Sequence, residues 1–245
     1  MERKTGYGQY CPLAMTAEIL CNRWTVLIIR ELLEGSTGFN EIQRGVPLIS
    51  RTLLSTRIKE LETAGLITRS TKPDSIKANY QLTAAGEALG PAVFSLADWG
   101  QRWIDVEPSI DTVDTDFLMW DIRRNVCFLE SFPDRFVVQF HFSDAPAKKD
   151  FHWLVFQNSE VDLCYRDPGF DIDVEIEVGM KTMVKVWMGW MDYNTALTSG
   201  ALTLLGPKKF TQSAREWLGL SSFSNIKKHP IEARVLRTLS PNTPN

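Results

Sequence analysis

The chain has 245 residues, 44% hydrophobic and 23% charged, with a formal net charge of −3. This composition excludes a disordered chain and a uniformly basic nucleic-acid coat, and the length accommodates two domains of ordinary size. Only the first half, with 12 basic and 11 acidic residues before position 106, is near neutral; a DNA-binding surface there must gather its cations on one face.

Residues 1–10 are polar and glycine-containing, as in an arm. Cys11-Pro12 opens a helix with Leu13, Ala14, Ala17 and Leu20 apolar. Asn22 is expected to cap a second helix, Arg23 to Glu34, burying Trp24, Leu27, Ile28 and Leu32. A turn at 34–38 leads to a short helix, Phe39 to Arg44, broken by Gly45-Val46-Pro47. The stretch Ile49–Leu66 then reads as an amphipathic helix capped by Ser50 and stopped by Gly65. Leu54, Ile58 and Leu61 form its apolar stripe. Ser50, Arg51, Thr52, Ser55, Thr56 and Lys59 are left for solvent, the residue types that meet base edges and phosphates in a major groove. Short helix, turn, amphipathic helix is the helix-turn-helix pattern. Strands at 67–69 and 79–83 flank a turn at Lys72-Pro73-Asp74 and make a wing, with Arg69, Lys72 and Lys77 available to phosphate. Thr83 caps a helical segment to about Ile104, interrupted near Gly90-Pro91. Its apolar spacing at Val93, Leu96, Ala97, Gly100 and Ile104 predicts packing against a second copy of the chain.

Residues 106–116 are polar, acidic and contain Pro108, as in a linker. A helix follows at 117–125. The period then changes to two over 136–142, with further strands at 151–156, 161–164 and 172–178; the last carries the acids 171–177 on a solvated face. Helical spacing returns from Met180 to Met191, then come a short helix 193–199, a strand 201–205 and a closing helix 208–218. Residues 223–245 read as a tail.

Two resemblances follow from these residues. Cys11-Pro12, Arg23-Trp24-Thr25, Phe39-Asn40-Glu41-Ile42, Ile49-Ser50-Arg51-Thr52-Leu53, the run Arg57 to Ile67, Tyr80-Gln81-Leu82-Thr83, Gly86, Leu89 and Trp99 resemble the HxlR family of winged helix-turn-helix transcriptional regulators. The resemblance covers residues 9–104 and implies a homodimer on double-stranded DNA with a palindromic operator. Gly38 stands where the family commonly has Arg, and the wing lacks the usual Pro-containing tip at Ser75–Lys77. The second half resembles the sterol carrier protein type 2-like fold through the acidic strand, Asn194 to Gly206, and the closing helix. That implies a cavity for an apolar molecule, for which Phe140, Trp153, Met183, Trp187, Met188 and Met191 are the candidate lining. Five of the seven methionines lie after residue 115, and methionine adapts to varied apolar partners.

The sequence thus predicts a mainly-α winged helix-turn-helix domain (1–105), a linker (106–116), an α+β sterol-carrier-like domain (117–222) and a tail. The function read from it is a DNA-binding regulator responding to an apolar effector. Two alternatives stand beside it. One is a thiol-redox sensor acting through Cys11, since a helix start favours thiolate chemistry and some relatives in the family use a cysteine there. The other is an apolar-ligand carrier with a vestigial DNA module. The histidines (141, 152, 229) and the four cysteines lack zinc-site or CxxC spacing, and no phosphate-loop or nucleophile-elbow motif occurs, so no enzyme, cofactor or metal is expected. With no apolar run of about 18 residues, no membrane partner is expected, and a cytoplasmic protein with reduced thiols is the default.

Overall fold

A computed structural model describes residues 6–71, 78–105 and 114–236. Two compact units divide at Leu96/Ala97, inside a helix, whereas the sequence places the boundary after it. No single helix among the described residues is long and apolar enough to cross a membrane.

The first unit contains α1 (Pro12–Leu20), α2 (Thr25–Leu33), α3 (Phe39–Gly45), α4 (Arg51–Thr63), β1 (Ile67–Thr71), β2 (Ala78–Leu82), α5 (Ala84–Glu87) and the start of α6 (Gly90–Trp103). Its core gathers Ile28, Ile29 and Leu32 of α2, Ile42 of α3, the α4 stripe Leu54, Ile58 and Leu61, and Ile67, Tyr80 and Val93. The second helix starts later than the sequence suggests. Asn22 does not cap it; its side-chain amide donates to the Glu18 carbonyl and closes α1. Trp24 then takes a left-handed conformation (φ 80°) before Thr25. Leu27, expected inside, is exposed. β1 and β2 pair antiparallel from Ile67↔Leu82 to Thr71↔Ala78. Thr83 accepts from the Gly86 N–H at 3.2 Å and donates to the Gly65 carbonyl at 2.8 Å, tying α5 to the end of α4. The helical run breaks between Glu87 and Gly90, where the sequence places the interruption.

The second unit holds the end of α6, β3 (Ile104–Asp105), α7 (Thr115–Asn125), β4 (Arg135–Phe142), β5 (Phe151–Gln157), β6 (Glu160–Cys164), β7 (Val174–Val178), α8 (Met180–Trp187), α9 (Tyr193–Thr198), β8 (Leu202–Leu205), α10 (Lys208–Thr211), α11 (Ala214–Leu218) and β9 (Val235–Leu236). The five-stranded sheet has the order β6-β5-β4-β7-β8, with β4 and β7 parallel and the other pairs antiparallel. One face, with Phe136, Val138, Phe140, Phe142, Leu154, Phe156, Val174, Ile176 and Val178, packs with α7, α8, α9 and α11 into one core. The other carries Val137, Trp153 and Val155 with Cys164 against them, beside the exposed Glu175 and Glu177.

Three expectations change here. The 180–191 helix ends at Trp187; the chain turns at Met188-Gly189, and the N–H groups of Trp190 and Met191 both return to the Lys185 carbonyl. The closing helix is two short ones, α10 and α11, with Ser213 donating back to the Lys209 and Phe210 carbonyls between them. The tail is not a tail as far as Leu236. Its β9 pairs parallel with β3, the His229 N–H donates to the Arg102 carbonyl, and the His229 ring lies 3.9 Å from that of Trp103.

The helix read as starting at Phe117 begins at Thr115, capped by Asp114, so the last two residues of the expected linker (115–116) are helical; residues 106–113 lie outside the described residues. The cap joins a charge cluster. Lys149 Nζ lies 2.6 Å from Asp114 and 2.8 Å from Asp116, and Asp116 Oδ1 lies 2.8 Å from Nε2 of the buried His152. The hydrogen bond from His152, and then Lys149, hold the Asp116 carboxyl below the usual carboxylate range against the opposing pull of burial.

Two consequences are measurable. A Cβ on Gly86 would run into the Leu66 carbonyl, a backbone atom that cannot swing aside. Gly86→Ala is therefore expected to lower the stability of the first unit by about 1–3 kcal/mol in chemical denaturation; an unchanged midpoint would show that the β1–α5 approach is looser than described. A carboxyl whose folded pKa is depressed contributes stability above its unfolded pKa of about 3.9 and loses it as pH falls through the lower folded value. The stability lost between about pH 6 and about pH 3 should be smaller in Asp116→Asn than in the wild type. Equal losses would mean that Asp116 is not held in its charged form.

Candidate nucleic-acid interface

The interface is built on α4. Ser50 accepts from the Leu53 N–H at 3.2 Å, a cap of the kind that contributes about 1 kcal/mol. With Leu54, Ile58 and Leu61 buried, Ser50, Arg51, Thr52, Ser55, Thr56 and Lys59 all stand exposed. The Thr56 hydroxyl donates to the Thr52 carbonyl at 3.1 Å, which leaves its oxygen lone pairs outward. Arg57, on the flank, is committed elsewhere: Nε donates to the Arg23 carbonyl and Nη1 pairs with Glu60 at 2.6 Å. Of the wing cations, Arg69 is exposed on β1, while Lys72 and Lys77 lie outside the described residues.

Arg51 is tied to α3, which the sequence did not reveal. Its Nη1 donates to Asn40 Oδ1 at 3.2 Å and to Gln43 Oε1 at 3.1 Å, and its Nη2 donates to Asn40 Oδ1 at 3.2 Å. The guanidinium carbon lies 4.9 Å from the centre of the Phe39 ring. Gln43 is fixed in turn, its amide donating to the Ile49 carbonyl at 3.3 Å. The signal available was the i, i+3 spacing of two amides on the short helix, which has no meaning until the fold sets α3 beside the start of α4.

The candidate pocket residues divide. Phe140, Met183 and Trp187 are wholly buried in the core of the second unit, and Met188 and Met191 pack partly buried against it. Trp153 does not join them: it pairs with Gln139, so it lies on the opposite sheet face with Val137 and Val155. Two polar groups in the core were not anticipated. The Trp187 Nε1–H donates to Asp121 of α7 at 2.8 Å. The hydroxyl of buried Tyr193 has no hydrogen-bond partner among the described residues, and burial pushes its pKa up.

Cys11 occupies the N-cap position of α1 without a side-chain capping bond and is exposed. The whole of α1 buries no residue, and Leu13, Met15 and Ile19 project from it; Phe94, Leu96 and Trp99 project from α6.

A helix-turn-helix formed by α3 and α4 with a β1–β2 hairpin after it defines a winged helix-turn-helix transcriptional regulator. The pattern of the HxlR-like helix-turn-helix family matches residues 19–108. The chain is 38% identical over 100 residues to the uncharacterized HTH-type transcriptional regulator YvaP of Bacillus subtilis, which covers 40% of this chain and 93% of YvaP. It is 31% identical over 101 residues to the uncharacterized HTH-type transcriptional regulator sll1512 of Synechocystis (41% and 75%) and 34% identical over 97 to the HTH-type transcriptional regulator YodB of B. subtilis (39% and 87%). Among solved structures, the reduced form of YodB aligns at 35% identity, covering 38% of this chain and 93% of that one, with a TM-score of 0.34. The chain belongs to the HxlR-like helix-turn-helix family.

Substituting Arg51 and Lys59 together by Ala is expected to weaken binding to the protein's own promoter, by about 1–3 kcal/mol for a base-reading side chain and with a salt slope lower by about one for a phosphate contact. Wild-type binding by the double variant would remove α4 from the interface.

Proposed function

We propose that the protein is a homodimeric regulator that binds a palindromic operator through α4 and the wing, and that an apolar effector in the second unit changes its DNA affinity. The observation that carries the DNA half is the division of α4: three aliphatic side chains buried on one side, six hydroxyl or basic residues exposed on the other. Ser50, Arg51, Thr52, Ser55, Thr56 and Lys59 are the proposed groove contacts, with Arg69, Lys72 and Lys77 reaching phosphate from the wing. Exposed apolar residues on α1 (Leu13, Met15, Ile19) and at the start of α6 (Phe94, Leu96) support a dimer contact that would remove them from water. As a regulator acting on DNA, the protein is proposed to be cytoplasmic and to work without a cofactor.

The effector half rests on the second unit. Its order of helix, three antiparallel strands, crossover, strand, helices, strand and closing helices supports the resemblance to the sterol carrier protein type 2-like fold. The proposed lining is Phe140, Met183, Trp187, Met188 and Met191, without Trp153. The unpartnered Tyr193 hydroxyl favours a ligand bearing one oxygen on an apolar body, because a buried hydroxyl left alone costs about 1–3 kcal/mol. A thiol-sensing alternative draws on one observation, the exposed Cys11 at the start of α1. An apolar-ligand carrier with a vestigial DNA module is a further alternative.

The test is operator binding with and without a panel of fatty acids, sterols and aromatic compounds, read beside tryptophan fluorescence. A binding ligand should shift the fluorescence and change operator affinity by about 5- to 150-fold. Fluorescence change with constant DNA affinity would leave a carrier. No response to the panel, with affinity changed by a thiol oxidant and restored by Cys11→Ser, would establish the sensor.

A further inference from the structure

We propose that Asn40 and Gln43 are positioning residues that present Arg51 to a guanine in the operator. This rests on α4 being the recognition helix and deepens that reading.

A guanidinium carries five N–H donors in a rigid plane. The two amide oxygens take three of them: both hydrogens of Nη1, one to Asn40 and one to Gln43, and the inner hydrogen of Nη2, to Asn40. The Nε–H and the outer Nη2–H remain, and neither has a partner among the described residues. These two lie parallel on one edge of the plane. They match the N7 and O6 acceptors that guanine alone presents side by side in the major groove. The residue stands in the first turn of α4, the part of a recognition helix that reaches base edges.

The supports are themselves anchored. Phe39 lies under the guanidinium plane, and Gln43 is held by the Ile49 carbonyl, so its oxygen is fixed toward Arg51. A free arginine loses rotamer entropy when it is immobilised; here the immobilisation precedes DNA binding. The same three hydrogen bonds are exposed at the surface and contribute little to folding. Their consequence is direction. An arginine with three donors spent on protein oxygens and one open edge is suited to one planar, two-acceptor target. A phosphate would be met equally well by the unclamped side chain.

The experiment uses the full-length chain and a random-sequence duplex pool. The wild type enriches a site, and the affinity of the winning duplex and of each single-base-pair change is measured. Arg51→Ala should lose about 10- to 100-fold of the discrimination at one G·C pair and little elsewhere. The Asn40→Ala/Gln43→Ala variant should lose about 3- to 10-fold at that same pair, keep the wild-type salt slope, and add nothing in the Arg51→Ala background. Asn40→Asp keeps the oxygen: discrimination should persist while affinity for all sequences falls from the added negative charge. Thermal melting of each variant checks that it is folded, and a purely structural role would move the melting point without moving the base preference. Loss spread evenly over all sequences, a salt slope lower by one for Arg51→Ala, or additive effects of the amides and the arginine would each overturn the proposal while leaving α4 as the DNA-binding helix. A wild-type chain that enriches no sequence would overturn the DNA-binding reading itself.

Discussion

Everything in the first unit depends on how α4 is held by one side only. Leu54, Ile58 and Leu61 are almost completely removed from water, and burial of an aliphatic side chain is worth about 1.5–3 kcal/mol. The cap at Ser50 adds about one. The stripe therefore decides where the helix sits, and the cap decides where it starts. With those two fixed, six polar side chains are presented outward at no cost to the core. The other elements answer to the same requirement. α2 and α3 supply Ile28, Ile29 and Ile42 to receive the stripe. The Thr83 hydroxyl ties the wing's end to the turn after α4, through the Gly65 carbonyl. A surface for DNA is thus obtained by over-determining the buried side of a single helix.

The second unit solves a different problem, a sheet with unlike faces. Phe136, Phe140, Phe142 and Phe156 fill one face, together with Trp217 and Trp187 from the helices. The polar groups that enter that core are paired at short distance where their position fixes an element. Asp121 receives the Trp187 indole and joins α7 to α8; Asp116 receives His152 and joins α7 to β5. An unsatisfied donor in such a place would cost more than the bond contributes when made, so these pairs specify registry more than they add stability. The Tyr193 hydroxyl and the Trp190 indole N–H depart from that rule: both are buried without a partner among the described residues.

The legible parts of the chain were those where period and cap agree. The stripe, Ser50 and the turn after α4 could be read because a 3.6-residue spacing and a side-chain acceptor point to the same helix. The strand at 136–142 was legible from alternation, and so was that at 172–178, although its pairing begins only at Val174. Alternation assigns residues to two faces within one strand but does not say which face a neighbouring strand shares. Trp153 was misplaced for that reason; only the Gln139↔Trp153 register puts it opposite Phe140. Helical spacing continued through Met191 although the helix stops at Trp187, because the turn at Met188-Gly189 keeps apolar residues facing the same core. The clamp on Arg51 and the pairing of β9 with β3 involve residues far apart in sequence with no periodic signature, so nothing local could reveal them.

The end of α6, from Ala97 onward, belongs to the second unit and is held there by residues far away in the sequence. Gln101 is buried, and its amide nitrogen lies 3.5 Å from the Met188 carbonyl, just past α8, and 3.4 Å from the Phe223 carbonyl, in the returning chain. Trp103 stacks on His229, and Asp105 meets Arg234 at 3.8 Å. The last turn of α6 is therefore held by the residue that follows the methionine-rich helix and by the segment that crosses it. The proposed effector, lodged against Met183 and Met188, would act on this turn only to the extent that it bound one placement of that carbonyl better than another; equal affinity for both would transmit nothing.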